Sequence, residues 1–259
     1  MRTITALVLL GLLLAAAPAS PARAGDRAGA PVFSYRVVKA YPHDPDRFTQ
    51  GLAVEGDTVY EGTGLYGKSR LLAWELASGR IIASRDLDPA QFGEGLTIFK
   101  DVLIQLTWKN GLGLVHDKKS LRLLRTFTYP GQGWGLTNDG RRLIMSDGTA
   151  ELRFLDPIDF HELKRITVAD NGVPVKDLNE LEFVRGGIWA NVWKTDRIAI
   201  IDPEDGRVTA WVDLAGLLAP FAAGSQGVLN GVAYDPENGR LLATGKLWPR
   251  IYEIELKTK

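Results

Sequence analysis

The chain has 259 residues with 31 basic and 31 acidic side chains, so it has no basic excess for binding nucleic acid or an anionic membrane. It has no cysteine, which excludes disulfides, and its three histidines, His43, His116 and His161, are not spaced like metal ligands. We therefore expect no metal and no other cofactor, and we interpret the histidines as surface residues.

The first 24 residues have the pattern of a secretory signal peptide. A short basic start precedes the apolar run ALVLLGLLLAAA, and a small-residue cleavage pattern follows at Ala22-Arg23-Ala24. The apolar run is too short to cross a bilayer comfortably. We therefore predict a signal peptide over residues 1–24, a single domain over 25–259, and a protein that is secreted or periplasmic.

The rest of the chain contains five similar units. The segments FTQGLAV, FGEGLTI, GWGLT, LNELEFV and LNGVAYD align at intervals of 40 to 51 residues. Their matched residues are Gln50, Glu94, Trp134, Asn179 and Asn230. Each is followed by a glycine and an aliphatic residue, except that Glu180 replaces the glycine in the fourth unit.

Within each unit, short β-branched and aromatic runs alternate with turns rich in Gly, Asp, Asn and Pro. The fourth unit has four such runs, LEFV, IWANVW, RIAIID and RVTAWV. Repeats of this length with about four strands are typical of propeller blades. A helical solenoid has a similar period, but no unit contains a long 3.6-residue periodicity. The sequence therefore predicts an all-β, five-bladed β-propeller.

The two ends of the chain complement each other. The last unit offers only three strands, NGVAYD, RLLATG and RIYEIEL, whereas an unmatched strand, FSYRVVKAY, precedes the first unit at residues 33–41. An N-terminal strand that completes the last blade would remove an exposed sheet edge. We predict that this strand closes the ring.

The repeat also predicts which side chains lie together. The start of a first strand and the end of the antiparallel second strand lie on one face, and such a hairpin takes about 14 residues. This spacing leads from Glu94 to Trp108 and from Asn179 to Trp193, and in the last unit it ends near Lys246. One end of the central channel should therefore gather Gln50, Glu94, Trp108, Trp134, Asn179, Trp193 and Lys246. Apolar walls with a few polar groups are typical of a pocket for a small molecule or a peptide end.

Each of these residues also has a purely structural interpretation. A tryptophan in a strand commonly packs in a core, Gln and Asn commonly form turns, and lysine is commonly solvated. Their recurrence at equivalent positions of the repeat favours a site. We interpret Asp147 as structural and leave Asn230 undecided.

The ordered motifs FTQGL, FGEGL, LTW, GWGL, LNELE, NVW and GKLWP resemble those of the plant and bacterial glutaminyl-peptide cyclotransferases, over residues 37–256. The resemblance implies a five-bladed propeller that converts an N-terminal glutamine of peptides or proteins to pyroglutamate, with loss of ammonia and without a catalytic metal. It implies that Glu94 is the acid/base, and that Gln50, Asn179 and Lys246 bind and polarise the substrate. The tryptophans Trp108, Trp134 and Trp193 would form the walls.

Several points remain open from the residues alone. Aromatic surroundings would raise the pKa of Glu94, whereas Lys246 would lower it. We expect the glycines at 93 and 95 to let the substrate backbone approach the acid, and we expect a monomer. The alternatives are a non-enzymatic propeller that binds peptide ends or sugars, and a metal-dependent hydrolase or lactonase propeller.

Overall fold

The computed structural model describes residues 29–218 and 227–258, and the predicted signal peptide lies outside the described residues. Within them the chain forms β-strands and turns and no α-helix, which confirms the predicted all-β class. The same residues accordingly include no helix with the length and apolar character needed to span a membrane.

Most strands form successive four-stranded groups, which we number in chain order. Strand β1 is Val32–Pro42. The first group contains β2 (Thr49–Glu55), β3 (Thr58–Thr63), β4 (Arg70–Glu75) and β5 (Ile81–Asp86). The second contains β6 (Gly93–Phe99), β7 (Val102–Thr107), β8 (Leu112–Asp117) and β9 (Leu123–Thr128). The third contains β10 (Leu136–Asn138), β11 (Leu143–Ser146), β12 (Glu151–Leu155) and β13 (Glu162–Thr167).

A two-stranded hairpin, β14 (Ala169–Asp170) and β15 (Val173–Pro174), follows the third group. The fourth group contains β16 (Leu178–Val184), β17 (Gly187–Val192), β18 (Arg197–Ile201) and β19 (Val208–Asp213). The last contains β20 (Leu229–Asp235), β21 (Arg240–Gly245) and β22 (Arg250–Thr258). These bounds match the runs expected for the fourth and last units.

Consecutive strands within each group pair antiparallel. In three groups the pair at the start of the first strand is fourteen residues apart, as expected: Thr49↔Thr63, Gly93↔Thr107 and Leu178↔Val192. The last group needs two more residues, with Leu229 opposite Gly245. The hairpin geometry that underlies the predicted site is therefore present.

The predicted N-terminal strand exists and joins the last group. Strand β1 pairs antiparallel with β22 along its length, from Phe33↔Thr258 to Pro42↔Arg250. Its first residues also pair in parallel with β19, at Val32↔Trp211 and Phe33↔Val212. The fourth and last groups thus form one eight-stranded sheet.

The first strands of the groups contact one another in sequence. Strand β2 contacts β6, β6 contacts β10, β10 contacts β16, β16 contacts β20, and β20 contacts β2. Each pair of successive groups, and likewise the last and the first, shares one of five buried hydrophobic clusters among the described residues. Burial of these apolar side chains, worth about 25 cal/mol per Å², stabilises the contacts between the groups.

The repeated glycine is explained by these contacts. A Cβ atom on Gly51 would lie 2.4 Å from the backbone nitrogen of Leu96, and one on Gly135 would lie 2.0 Å from the carbonyl oxygen of Asn179. Neighbouring first strands therefore approach backbone to backbone, which leaves no space for a side chain.

The fourth unit replaces this glycine with Glu180, which is fully buried. Its carboxylate accepts hydrogen bonds from the backbone nitrogens of Leu52, at 3.3 Å, and Val232, at 2.8 Å. The glutamate therefore links β16 to β2 and β20. Alignment of the five units shows that Glu180 replaces the glycine, but it does not show that its carboxylate connects these strands.

The prediction of surface histidines is wrong for two of the three. His116 is buried, with its Nδ1 3.1 Å from the carbonyl oxygen of Leu121. His43 is buried, with its Nε2 3.1 Å from Glu61 Oε1 and its Nδ1 2.6 Å from the carbonyl oxygen of Trp248. Burial of the two rings is tolerated because these ring nitrogens have hydrogen-bond partners. The sequence did not indicate the burial of His43, because Glu61 and Trp248 are distant from it along the chain. His161 is exposed.

Candidate active site

All seven residues of the predicted site line one cavity, which has a volume of about 700 Å³. Gln50, Glu94 and Asn179 lie near the starts of β2, β6 and β16. The remaining predicted residues lie in the connections beside the same strand ends: Trp108, Trp134, Trp193 and Lys246. The cavity is also lined by Phe48, Leu65, Phe92, Lys194, Val228 and Leu247.

Backbone hydrogen bonds at the strand ends hold these side chains in place. The backbone nitrogen of Trp108 donates to the carbonyl oxygen of Phe92 at 2.9 Å, and that of Trp193 donates to the carbonyl oxygen of Asp177 at 2.8 Å. The backbone nitrogen of Lys246 donates to Val228, also at 2.9 Å. In these three groups, the residue that follows the second strand therefore lies beside the start of the first strand.

Glu94 is nearly fully buried in the lining of the cavity, with 4% of its surface exposed. Its Oε1 accepts a hydrogen bond of 3.2 Å from Gln50 Nε2. The Gln50 amide is oriented in turn by Asn230, whose Nδ2 donates to Gln50 Oε1 at 3.2 Å and to the carbonyl oxygen of Thr49 at 3.0 Å. Asn230, which the sequence left undecided, therefore holds the residue that contacts the acid.

Burial and Lys246 have opposite effects on the pKa of Glu94, and the effect of burial is the larger. Burial raises the pKa of Glu94 well above its usual value of 4.5, although the positive charge of Lys246 lowers it. Burial also lowers the pKa of Lys246 to about 8, against the opposite effect of Glu94. Burial thus favours the neutral form of both groups, and a raised pKa is typical of a carboxyl group that acts as a catalytic acid.

Aromatic rings form the cavity walls. Trp134 and Trp193 meet edge to face with ring centroids 5.5 Å apart, and Phe92 lies 5.5 Å from Trp108. The Nζ atom of Lys246 lies 5.0 Å from the ring centroid of Phe48. We missed both phenylalanines in the sequence, although Phe48 and Phe92 each stand two residues before a matched position, in FTQGL and FGEGL.

Asn179 offers a hydrogen-bond acceptor to a ligand. Its Oδ1 is buried and accepts no hydrogen bond from the described residues, while its backbone oxygen accepts one from Ser146 Oγ at 2.7 Å. A buried acceptor without a donor costs about 1–3 kcal/mol. A bound amine or amide N–H would offset that cost.

The glycines beside Glu94 do not serve the substrate as expected. A Cβ atom on Gly95 would lie 2.6 Å from the backbone nitrogen of Leu136, and one on Gly93 would lie 2.6 Å from the carbonyl oxygen of Thr63. Neither glycine is among the lining residues. The expectation is therefore wrong, because the spaces beside both glycines are filled by neighbouring strands.

The cavity offers few metal ligands. Among the described residues that line it, Glu94 is the only carboxylate and no histidine is present. A group of possible ligands, Asp156, Asp159 and His161, lies between β12 and β13, outside the cavity lining. The side chains of the cavity therefore suit proton transfer and hydrogen bonding.

Comparisons with known proteins agree with this arrangement. The sequence model of the glutamine cyclotransferase family matches residues 6–256. A glutaminyl-peptide cyclotransferase from Arabidopsis thaliana is 43% identical over 227 residues, which cover 85% of this chain and 71% of that protein. The crystal structure of Myxococcus xanthus glutaminyl cyclase matches with a TM-score of 0.83 and 33% identity, over 89% of this chain and 99% of that one. The chain therefore belongs to the glutamine cyclotransferase family.

Proposed function

We propose that this protein converts the N-terminal glutamine of peptides or proteins to pyroglutamate and releases ammonia. The observation that carries the proposal is the cavity in which a buried glutamate, a buried lysine and three indoles meet. Membership of the glutamine cyclotransferase family supports this assignment.

The reaction is an attack within one molecule. The α-amino nitrogen forms a bond to the side-chain amide carbon, and the bond from that carbon to the amide nitrogen breaks. Holding the two atoms about 3–3.5 Å apart supplies much of the rate, because the bound side chain then stays in the curled geometry from which the attack occurs. The flat indole walls suit a curled glutamine side chain.

Glu94 moves the proton that this reaction must transfer. Its ionised carboxylate takes a proton from the attacking nitrogen, and the resulting acid gives that proton to the departing nitrogen, which leaves as ammonia. Burial raises the pKa of Glu94, which favours the protonated form that this second transfer needs. Gln50 orients the carboxylate through its 3.2 Å hydrogen bond.

Lys246 and Asn179 bind the reacting groups in this proposal. With a pKa of about 8, Lys246 is mostly cationic at neutral pH, so it can donate to the amide oxygen as negative charge develops there. Asn179 Oδ1, which accepts no hydrogen bond from the described residues, accepts one from the α-amine.

The proposal extends to the architecture. The five groups of strands form the blades of a five-bladed propeller, and β1 closes the ring by completing the last blade. The cyclic order of contacts among the first strands and the pairing of β1 with β22 support this arrangement. We also propose a monomer that acts on peptides outside the cytoplasm, on the basis of the signal-peptide pattern.

The decisive experiment measures ammonia release from a dipeptide that begins with glutamine, with the cyclic product identified by mass spectrometry. The same dipeptide with an acetylated amine is the control, because its nitrogen cannot attack. We expect ammonia from the free peptide only, and no effect of a chelator. Binding without ammonia would support the non-enzymatic alternative, and inhibition by the chelator would support a metal-dependent enzyme.

A further inference from the structure

Gln132 contacts two walls of the cavity from outside. It is exposed and is not among the lining residues. Its Oε1 nevertheless accepts hydrogen bonds from the indole Nε1 of Trp108, at 2.7 Å, and from the indole Nε1 of Trp134, at 3.0 Å. One side-chain oxygen thus joins two of the three indoles of the cavity.

The backbone at Gln132 is itself anchored. Arg153 on β12 is buried, and its guanidinium donates to the carbonyl oxygens of Pro130, at 2.9 Å, and Gln132, at 3.0 Å. The same guanidinium lies 3.4 Å from a carboxylate oxygen of Asp147. Asp147 is therefore structural, as the sequence indicated, and the connection before Trp134 is tied to the third group of strands.

The two indoles need such a link because they come from different groups of strands. Trp108 follows β7 in the second group, whereas Trp134 precedes β10 in the third. Gly148, which belongs to the same group as Trp134, has a φ of +82°, and a Cβ atom there would lie 2.7 Å from the Trp134 indole ring. Trp134 is therefore confined by its own group, while Trp108 is connected to it through Gln132.

We infer that Gln132 is a positioning residue that sets the relative placement of the Trp108 and Trp134 rings, and thereby the fit of the glutamine substrate between them. The inference rests on the proposed cyclisation. Gln132 does not contact the reacting atoms, so its loss should weaken substrate fit more than the chemical step.

Two variants with side chains of similar length distinguish the effect of the acceptor oxygen from the effect of side-chain size. Gln132→Met removes the oxygen, and Gln132→Glu keeps an acceptor at the same position. We expect Gln132→Met to raise KM for a glutamine dipeptide about tenfold, with kcat lowered less than about threefold, because two hydrogen bonds are lost. Gln132→Glu should restore most of the KM. Gln91→Met is the control, since Gln91 bonds neither indole.

A second measurement does not depend on activity. The indole N–H signals of ¹⁵N-labelled protein report the two hydrogen bonds directly, and Trp108→Phe and Trp134→Phe assign the signals. In Gln132→Met both signals should shift and exchange faster with solvent, whereas in Gln132→Glu they should stay protected.

The outcomes distinguish this inference from the proposed function. Wild-type protein that releases no ammonia overturns the proposed function, while the indole signals still test the link. Unchanged indole signals in Gln132→Met overturn the inference. It is also overturned if both Gln132 variants lower the melting temperature equally and leave KM unchanged, since Gln132 would then act only on stability.

Discussion

Two buried glutamates of this protein have opposite surroundings. Glu61 on β3 is fully buried, and its carboxylate contacts His43, Arg47, Thr49 and Trp74 at 2.8 to 3.1 Å. Glu94 is almost as deeply buried, but among the described residues only Gln50 donates a hydrogen bond to it. The difference lies in the donors that surround each carboxylate.

This difference decides the charge of each group. Burial alone would raise the pKa of Glu61, but His43 and Arg47 outweigh it and lower the pKa to about 2. At Glu94 burial prevails over Lys246 and raises the pKa well above 4.5. A carboxylate surrounded by donors stays ionised and serves the structure, whereas one with few donors can exchange protons and serve a reaction.

The two regions are also connected. His43 Nδ1 lies 2.6 Å from the carbonyl oxygen of Trp248, and the backbone nitrogen of Leu247 donates to the carbonyl oxygen of Arg47 at 2.8 Å. The cluster around Glu61 therefore supports the segment GKLWP, which carries Lys246 into the cavity.

The largest expected effect is the loss of activity in Glu94→Gln. Cyclisation should slow by about 10²–10⁴-fold, because the amide cannot carry the proton. The melting temperature should stay the same or rise, since the substitution removes a poorly satisfied buried acid. Ammonia release and thermal unfolding measure the two effects.

Glu182→Gln is the matched control for that variant. Glu182 is partly buried, and its desolvation raises its pKa to about 7, but it lines a separate cavity with Tyr234 and Thr137. Its substitution should leave ammonia release within about twofold of wild type. Equal losses of activity in the two variants would contradict the role of Glu94.

The next effect is on stability, in Glu61→Gln. Removing one member of a buried charged cluster leaves His43 and Arg47 without their carboxylate, so the free energy of unfolding should fall by about 3 kcal/mol. The folded fraction should keep ammonia release within about tenfold of wild type. Urea unfolding measures the change, and an unaltered midpoint would show that the cluster does not stabilise the fold.

The pH dependence of stability also distinguishes Glu61 from Glu94. Stabilisation by Glu61 is present above its unfolded pKa of 4.5 and is lost, by about 3 kcal/mol, as the pH falls toward 2. Burial lowers the pKa of His43, but Glu61 outweighs this effect and raises it. The stabilisation that comes from the charged His43 imidazolium is therefore present below pH 6.5 and is lost as the pH rises through the raised pKa. The stability difference between wild type and Glu61→Gln should therefore be largest between about pH 4.5 and 6.5.

Glu94 should show the opposite sign. Its folded pKa is raised, so its ionisation disfavours the folded state, and Glu94→Gln should gain stability relative to wild type as the pH rises above 4.5. Urea unfolding at several pH values compares both variants. Parallel pH profiles for Glu61→Gln and Glu94→Gln would refute the contrast drawn between the two sites.

The smallest expected effect comes from Trp193→Phe. The smaller ring should weaken substrate contact by about 1 kcal/mol, which raises KM about fivefold, with little change in melting temperature because Trp193 is only partly buried. Trp189→Phe is the control, since Trp189 belongs to a buried cluster on the same hairpin. The control should lower the melting temperature and leave KM unchanged; the reverse pattern would make Trp193 a core residue.

Most of the candidate site was predictable because the chain repeats. The five matched positions and the fourteen-residue hairpin brought Glu94 next to Trp108 and Asn179 next to Trp193 without knowledge of any contact. The same comparison could have found Phe48 and Phe92. Gln132 could not be found this way, because nothing in the repeat shows that its side chain reaches indoles from two different groups of strands.

Local pattern alone specified the strands, their antiparallel order within each unit and the face on which the repeated residues lie, because these depend on neighbours within about fifteen residues. Contacts between units decided the rest. The space beside Gly95 is filled by the strand of the next unit, and His43 is buried because it meets Glu61 and Trp248. The pKa of Glu94 is raised because the carboxylate is buried with few hydrogen-bond donors around it. Such effects depend on distances between atoms far apart in the chain, and only the packed molecule determines those distances.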